Sequence, residues 1–222
     1  LASISGSFTC DCSTNGAINK LDTGAIAATS EYHIFIIAKS DGTGVASLAS
    51  LSATAPTLPS GYSGGFKYRI GCMITGGAST FLRTKQVGRR TQYIVAAGTT
   101  TTALPTFSIV TNATKTALTA AGTVGSGGAQ KVPSTALSII TVCSQDGSTN
   151  TSSYVFPNND AGYSISVGAH AGGVTGTGTS GAGGLQVEVL LESTSIYYIS
   201  GNNPAGANAK VAVLGWTDKV NA

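Results

Sequence analysis

Charge is what this sequence has least of. Of 222 residues, 12 are Lys or Arg and 9 are Asp or Glu, so only 9% of the chain is charged, against roughly a quarter in an average soluble domain. Gly, Ser, Thr and Ala fill the deficit in place of the Glu, Lys and Pro of disordered chains, and 41% of residues are hydrophobic. A packed core is therefore expected. A neutral, hydroxyl-rich surface resists association weakly, so an assembled state is expected as well. The net charge of +3 is too small to point to nucleic acid, although Lys67, Arg69, Arg83, Lys85, Arg89 and Arg90 gather half of the 12 basic residues in one short section. That section reads as a solvated or intersubunit strand face.

Long apolar runs are missing too. The longest, Ile34-Phe35-Ile36-Ile37-Ala38, is far short of the ~20 residues a membrane-spanning helix needs, so no membrane insertion is expected. Leu1 opens the chain without a basic, apolar signal pattern, which fits a processed chain or part of a longer polypeptide.

Catalytic motifs are equally scarce. The two histidines are His33 and His170. His33 lies in the most hydrophobic strand pattern and reads as a hydrogen-bonded core or interface histidine, while His170 has a loop context and no recognisable partner. No G-x-S-x-G nucleophile turn occurs. Gly176-Thr177-Gly178-Thr179-Ser180-Gly181 fits G-x-G-x-x-G by spacing alone, because a strand rather than a helix follows it. Glu188 and Glu192 share a strand face but stand ~13 Å apart along it, too far for paired glycosidic carboxylates. The four cysteines are Cys10, Cys12, Cys72 and Cys143. Their spacing is neither that of a structural zinc site nor the redox C-x-x-C form. Cys72 and Cys143 sit in apolar strand patterns as small hydrophobes, whereas Cys10 and Cys12 occupy a polar segment suited to an interchain disulfide. Neither catalytic residues, nor a metal, nor a cofactor is expected.

What is present is a regular succession of strands and turns. Ser52-Ala53-Thr54-Ala55-Pro56-Thr57-Leu58-Pro59-Ser60-Gly61-Tyr62 is a stiff connector whose two prolines cannot complete a hydrogen-bond ladder. It must lie at a sheet edge or cross between layers. Before it, Glu31–Ala38 reads as a central strand buried on both faces, followed by an Asp41-Gly42 hairpin turn and a partner strand over 45–51. After it, Phe66, Tyr68, Ile70 and Cys72 alternate against Lys67, Arg69, Gly71 and Met73. Gly88-Arg89-Arg90 reads as a bulge within a long strand. Further strands are expected at 104–110, 116–118, 136–143, 153–156, 163–167, 185–192, 195–200 and 209–216, with a short hairpin break between the 185–192 and 195–200 strands and a Gly-rich loop over 171–184.

Ten to twelve strands without a helix of persuasive period define an all-β chain, an antiparallel β-sandwich or jelly-roll-like fold. The expected organisation is an N-terminal arm over 1–20 and a single β-sandwich domain over 21–222. Asn112-Ala113-Thr114 and Asn150-Thr151-Ser152 match the glycosylation sequon and mark exposed loops. Arg69, Arg89, Arg90, Tyr62 and Trp216 are the candidate interface or glycan contacts.

Leu21-Asp22-Thr23-Gly24-Ala25-Ile26-Ala27-Ala28, Tyr32-His33-Ile34-Phe35, the Ser52–Tyr62 connector, Arg69-Ile70-Gly71, Gln86-Val87-Gly88-Arg89-Arg90, Ile196-Tyr197-Tyr198 and Leu214-Gly215-Trp216-Thr217-Asp218 occur in order. Over about residues 21–218 the chain resembles a recurrent domain of tailed-bacteriophage virion proteins. One departure is Glu31, where that family often carries an aromatic residue before Tyr32. The resemblance implies a virion structural protein on the particle exterior, a tail fibre, spike or head fibre or decoration. It implies β-rich subunits that commonly assemble as trimers, partnered by other virion proteins and by host-surface glycan, with no catalytic residues to carry over. A carbohydrate-binding module and a glycan-cleaving spike enzyme remain the alternatives.

Overall fold

A computed structural model describes residues 7–95, 104–108, 116–120, 131–146, 153–157, 185–200 and 208–220. The expected strand at 163–167, the Gly-rich 171–184 segment, His170 and both sequon asparagines lie outside the described residues. Within them the chain is all-β and sandwich-like, with no helix. It divides into two compact units, Leu1–Leu82 with Lys219–Ala222, and Arg83–Asp218, where the sequence reading drew one domain over 21–222.

The first unit contains β1 (Asp11–Asn15), β2 (Lys20–Leu21), β3 (Glu31–Ala38), β4 (Ala46–Ser50) and β5 (Phe66–Ile74), in the order β1-β2-β4-β3-β5. Residues 11–20, read as arm, are thus part of the sheet. β1 pairs in parallel with β2, and β2 with β4, so the polar segment satisfies backbone groups that β4 would otherwise leave open. Cys12 is buried there with Leu21, Tyr32 and Ala49.

β3 is buried on both faces because its alternate residues feed two clusters. Phe35 and Ile37 pack with Ala46, Leu48 and Tyr62, while Tyr32 packs with Leu21 and Ala49 on the other side. The β3–β4 turn follows the sequence closely. Gly42 has a φ of 80°, and the Asp41 carboxylate accepts the Thr43 N–H at 2.8 Å and its hydroxyl at 2.7 Å.

β4 and β5 flank β3 and each runs antiparallel to it, so the connector between them must cross over the sheet. No strand occurs in residues 51–65. Tyr62 anchors this crossing in the Phe35 cluster, with Leu58 packed against it. Its hydroxyl donates to the Gly44 carbonyl at 2.5 Å. Gly65 is required where the crossing meets β3, since a Cβ there would lie 2.0 Å from the Ala38 carbonyl oxygen.

The alternation read for β5 is broken by a bulge. Ile34 pairs with Gly71 but Phe35 pairs with Arg69, so Ile70 is the extra residue. Cys72 therefore lies on the sheet face of Arg69 and not on that of Tyr68.

The second unit contains β6 (Thr84–Val87), β7 (Arg90–Tyr93), β8 (Thr106–Ser108), β9 (Thr116–Thr119), β10 (Ala136–Asp146), β11 (Ser153–Phe156), β12 (Leu185–Leu190), β13 (Ser195–Ser200) and β14 (Asn208–Asp218). One sheet runs β12-β10-β14-β7-β6, with β8 also on β14, and the other runs β11-β13-β9. Gly88-Arg89 is a two-residue turn between β6 and β7 rather than a bulge: Val87 pairs with Arg90, and Gly88 has a φ of 58°, the glycine-first pattern of a tight hairpin. Glu192 and Ser195 exchange backbone hydrogen bonds at 2.9 and 3.0 Å, as the short break predicts. The flanking strands then separate, β12 to β10 and β13 to β9 and β11, so the turn is a corner between sheets. Gly215 lets β14 approach β7, because a Cβ there would lie 2.1 Å from the Thr91 carbonyl oxygen.

Candidate functional site

Paired residues of antiparallel strands project from the same face of a sheet. His33 pairs with Ser50 of β4 on one side and with Cys72 of β5 on the other, giving a buried Ser–His–Cys row across three strands. Glu31, two residues before His33 on β3, shares its face. One donor atom from each of Glu31, His33 and Cys72 lies within 4.8 Å of the others.

His33 is fully buried, and neither ring nitrogen has a hydrogen-bond partner among the described residues. Its Nε2 lies 3.5 Å from a Glu31 carboxylate oxygen, beyond normal hydrogen-bond reach. A buried polar atom without a partner costs about 1–3 kcal/mol, so the imidazole is held at an energetic disadvantage in this arrangement. The sequence reading of a core histidine matches its burial, but among the described residues it makes none of the hydrogen bonds expected of it. The Ser50 hydroxyl oxygen accepts the Ser52 N–H at 3.0 Å, and the Cys72 thiol donates weakly to the Met73 carbonyl at 3.6 Å. Thiol, imidazole and carboxylate together form a donor set for a borderline-soft metal ion. The same groups could compose a nucleophile, base and orienting acid; Cys72 is buried.

The residues singled out from sequence do not converge. Cys10 and Cys12 place their sulfurs 3.9 Å apart. The hydrogen bond from Cys12 holds the Cys10 thiol below its usual range, while the same bond together with burial pushes the Cys12 thiol up. Cys12 is buried and Cys10 half-buried, so Cys10 is the better placed of the two for a bridge to another chain.

Tyr62, Arg69 and Trp216, read as surface contacts, are buried. Tyr62 anchors the connector. Arg69 sits on the face of Phe35, where its guanidinium donates to the Lys219 carbonyl. Trp216 meets Tyr93 edge-on, with ring centroids 5.3 Å apart. Aromatic side chains bury a large area with a polar tip, and Tyr62 and Trp216 do so within this chain.

Arg89 is exposed, its Nε donating to the Asp218 carbonyl at 3.0 Å. Arg90 stays half-exposed, 3.7 Å from Glu188. Glu188 accepts hydroxyls from Ser138 and Thr217, which, with Arg90, hold its carboxyl below the usual range. Glu192 lies beyond the end of β12, so Glu188 and Glu192 make no carboxylate pair.

Neither a family model, nor a curated protein, nor a solved structure matches the chain.

Proposed function

We propose that this chain is a non-enzymatic structural subunit of a tailed-bacteriophage particle, a tail fibre, spike or head fibre or decoration on the particle exterior. It associates with copies of itself, as a trimer, and with other virion proteins. The order of sequence markers over residues 21–218 motivates the choice of particle.

The observation that carries the self-association is the outer edge of β5. Among the described residues β5 is last in its sheet, and Phe66 and Tyr68 are 67% and 58% exposed. Exposed apolar side chains on the last strand of a sheet mark an interaction surface. With 9% charged residues overall, the chain has little electrostatic repulsion to oppose a neighbour there.

Host-surface glycan is a further partner in this reading. Of the aromatic side chains able to stack on sugar, Tyr62, Tyr198 and Trp216 are buried and Tyr68 is exposed. Light scattering on the purified chain over a range of concentrations tests the proposal, together with antibody labelling of intact particles. A trimer mass and labelled particle exteriors are expected. A stable monomer and unlabelled particles would overturn it.

A further inference from the structure

We propose that Glu31, His33 and Cys72 bind one transition-metal ion of the Zn2+ class, pinning the edge strand β5 to β3. The inference is independent of the particle reading.

Three observations meet at this place. The ladder register sets His33 directly opposite Cys72, and Glu31 follows on the same face of β3. The donor atoms lie within 4.8 Å of one another, where tetrahedral Zn2+ with bonds of about 2.0–2.3 Å spaces its ligands by about 3.3–3.8 Å. Side-chain rotation of a few tenths of an ångström up to about 1 Å closes that difference. The third observation is His33 itself, fully buried with neither ring nitrogen hydrogen-bonded among the described residues. Buried imidazoles are otherwise hydrogen-bonded, and a metal ion supplies the missing partner for one nitrogen.

The donor set decides the class of ion. One thiolate, one imidazole and one carboxylate suit Zn2+ or Co2+ and fit poorly to Ca2+ or Mg2+, which take oxygen ligands. Binding displaces the thiol proton of Cys72 to solvent and uses the neutral form of His33. A water completes the fourth position. Glu31 is the least buried of the three ligands and forms the entrance. Because Cys72 and His33 are buried, the ion enters most readily as the chain folds.

The ligands also explain the role of the β5 bulge. If Ile70 took a regular place in the ladder after the Phe35–Arg69 pair, Gly71 would stand opposite His33 and Cys72 would project from the other face.

The test uses the full chain, unfolded in reductant and chelator and then refolded with Co2+ or Zn2+. One equivalent of Co2+ is expected, with thiolate-to-cobalt charge-transfer absorption, and Zn2+ should raise the thermal midpoint. The Cys10→Ser/Cys12→Ser double variant should keep both signals. Cys72→Ser should abolish the absorption, and Glu31→Gln should weaken binding at least about tenfold while leaving the metal-free chain folded. If Cys72→Ser fails to fold, loss of the Zn2+ stabilisation in Glu31→Gln decides the matter. The proposal is overturned if the wild-type chain takes up no metal, if the absorption survives Cys72→Ser, or if it disappears in the Cys10/Cys12 double variant.

Discussion

The carboxylate of Asp22 accepts the backbone N–H of Thr57 at 2.9 Å, fastening the turn after β2 to the connector that crosses the sheet. Its other oxygen accepts the Thr23 N–H at 2.7 Å. Asp22 is buried, so Asp22→Ala leaves two donors without their acceptor and should lower stability by about 1–3 kcal/mol. Asp22→Asn, which retains one acceptor oxygen, should fall between the two. Urea denaturation of the three chains measures the series, and equal midpoints would show that the connector is held elsewhere.

Gly215→Ala should destabilise by about 3 kcal/mol, the upper end for overpacking. The added Cβ would meet the Thr91 carbonyl at 2.1 Å and the Gln92 Cα at 2.9 Å, both backbone atoms of β7, so no flexible side chain is there to yield. A drop in the thermal midpoint with loss of near-ultraviolet signal from Trp216 is expected, because the adjacent indole packs across the same pair of strands.

Glu188 ties acid sensitivity to the second unit. Hydrogen bonds from Ser138 and Thr217, with Arg90 nearby, depress its folded pKa below 4.5. A depressed carboxylate contributes stability that is fully present above its unfolded pKa and lost as pH falls through the folded value. Glu188→Gln should therefore cost a little stability at neutral pH, with the difference closing progressively below pH 4.5. The side chain is 40% exposed, so solvent screening keeps the effect small. Denaturation midpoints at neutral and acid pH test the convergence.

Alkylation of the reduced chain at neutral pH should label Cys10 ahead of Cys12 and Cys72. Cys10 combines partial exposure with a lowered thiol pKa, whereas Cys12 is buried with its pKa raised and Cys72 is buried. Thiolate fraction and access together set the rate. Peptide mapping by mass spectrometry gives the order, and first labelling at Cys72 would contradict it.

On the proposed self-association through β5, Phe66→Lys combined with Tyr68→Lys should give a monomer while moving stability by no more than about 0.5 kcal/mol, as for other exposed positions. Both side chains are exposed on the edge strand, and charge at an edge opposes strand addition. Light scattering reads the mass and circular dichroism the fold.

Much of the strand pattern was legible because its signals are local. The 153–156 and 195–200 strands fall where the sequence puts them. Asp41-Gly42 makes the expected turn, since Gly42 supplies the positive φ and Asp41 the cap. The crossing role of the Pro56–Pro59 segment follows from its missing ladder donors. Gly88-Arg89 was misread as a bulge because the same glycine serves either geometry.

The Glu31–His33–Cys72 cluster was not legible. Metal spacing is recognised when ligands are close in sequence, and here Cys72 comes from another strand, through a register that a single extra residue sets. Glu31 and His33 at i and i+2 were the only local signal.

By itself the sequence determined an all-β chain of low charge, with its principal strand β3 buried on both faces, because alternation, turn residues and composition act over a few residues. Only the tertiary structure decided which strands pair, that residues 11–20 join the first sheet, and that the chain falls into two compact units. It also decided that Tyr62, Arg69 and Trp216 are core and that Cys72 faces His33. Those outcomes depend on ladder register and on which faces become covered. A one-residue bulge reverses a side chain's direction without changing the composition or periodicity around it.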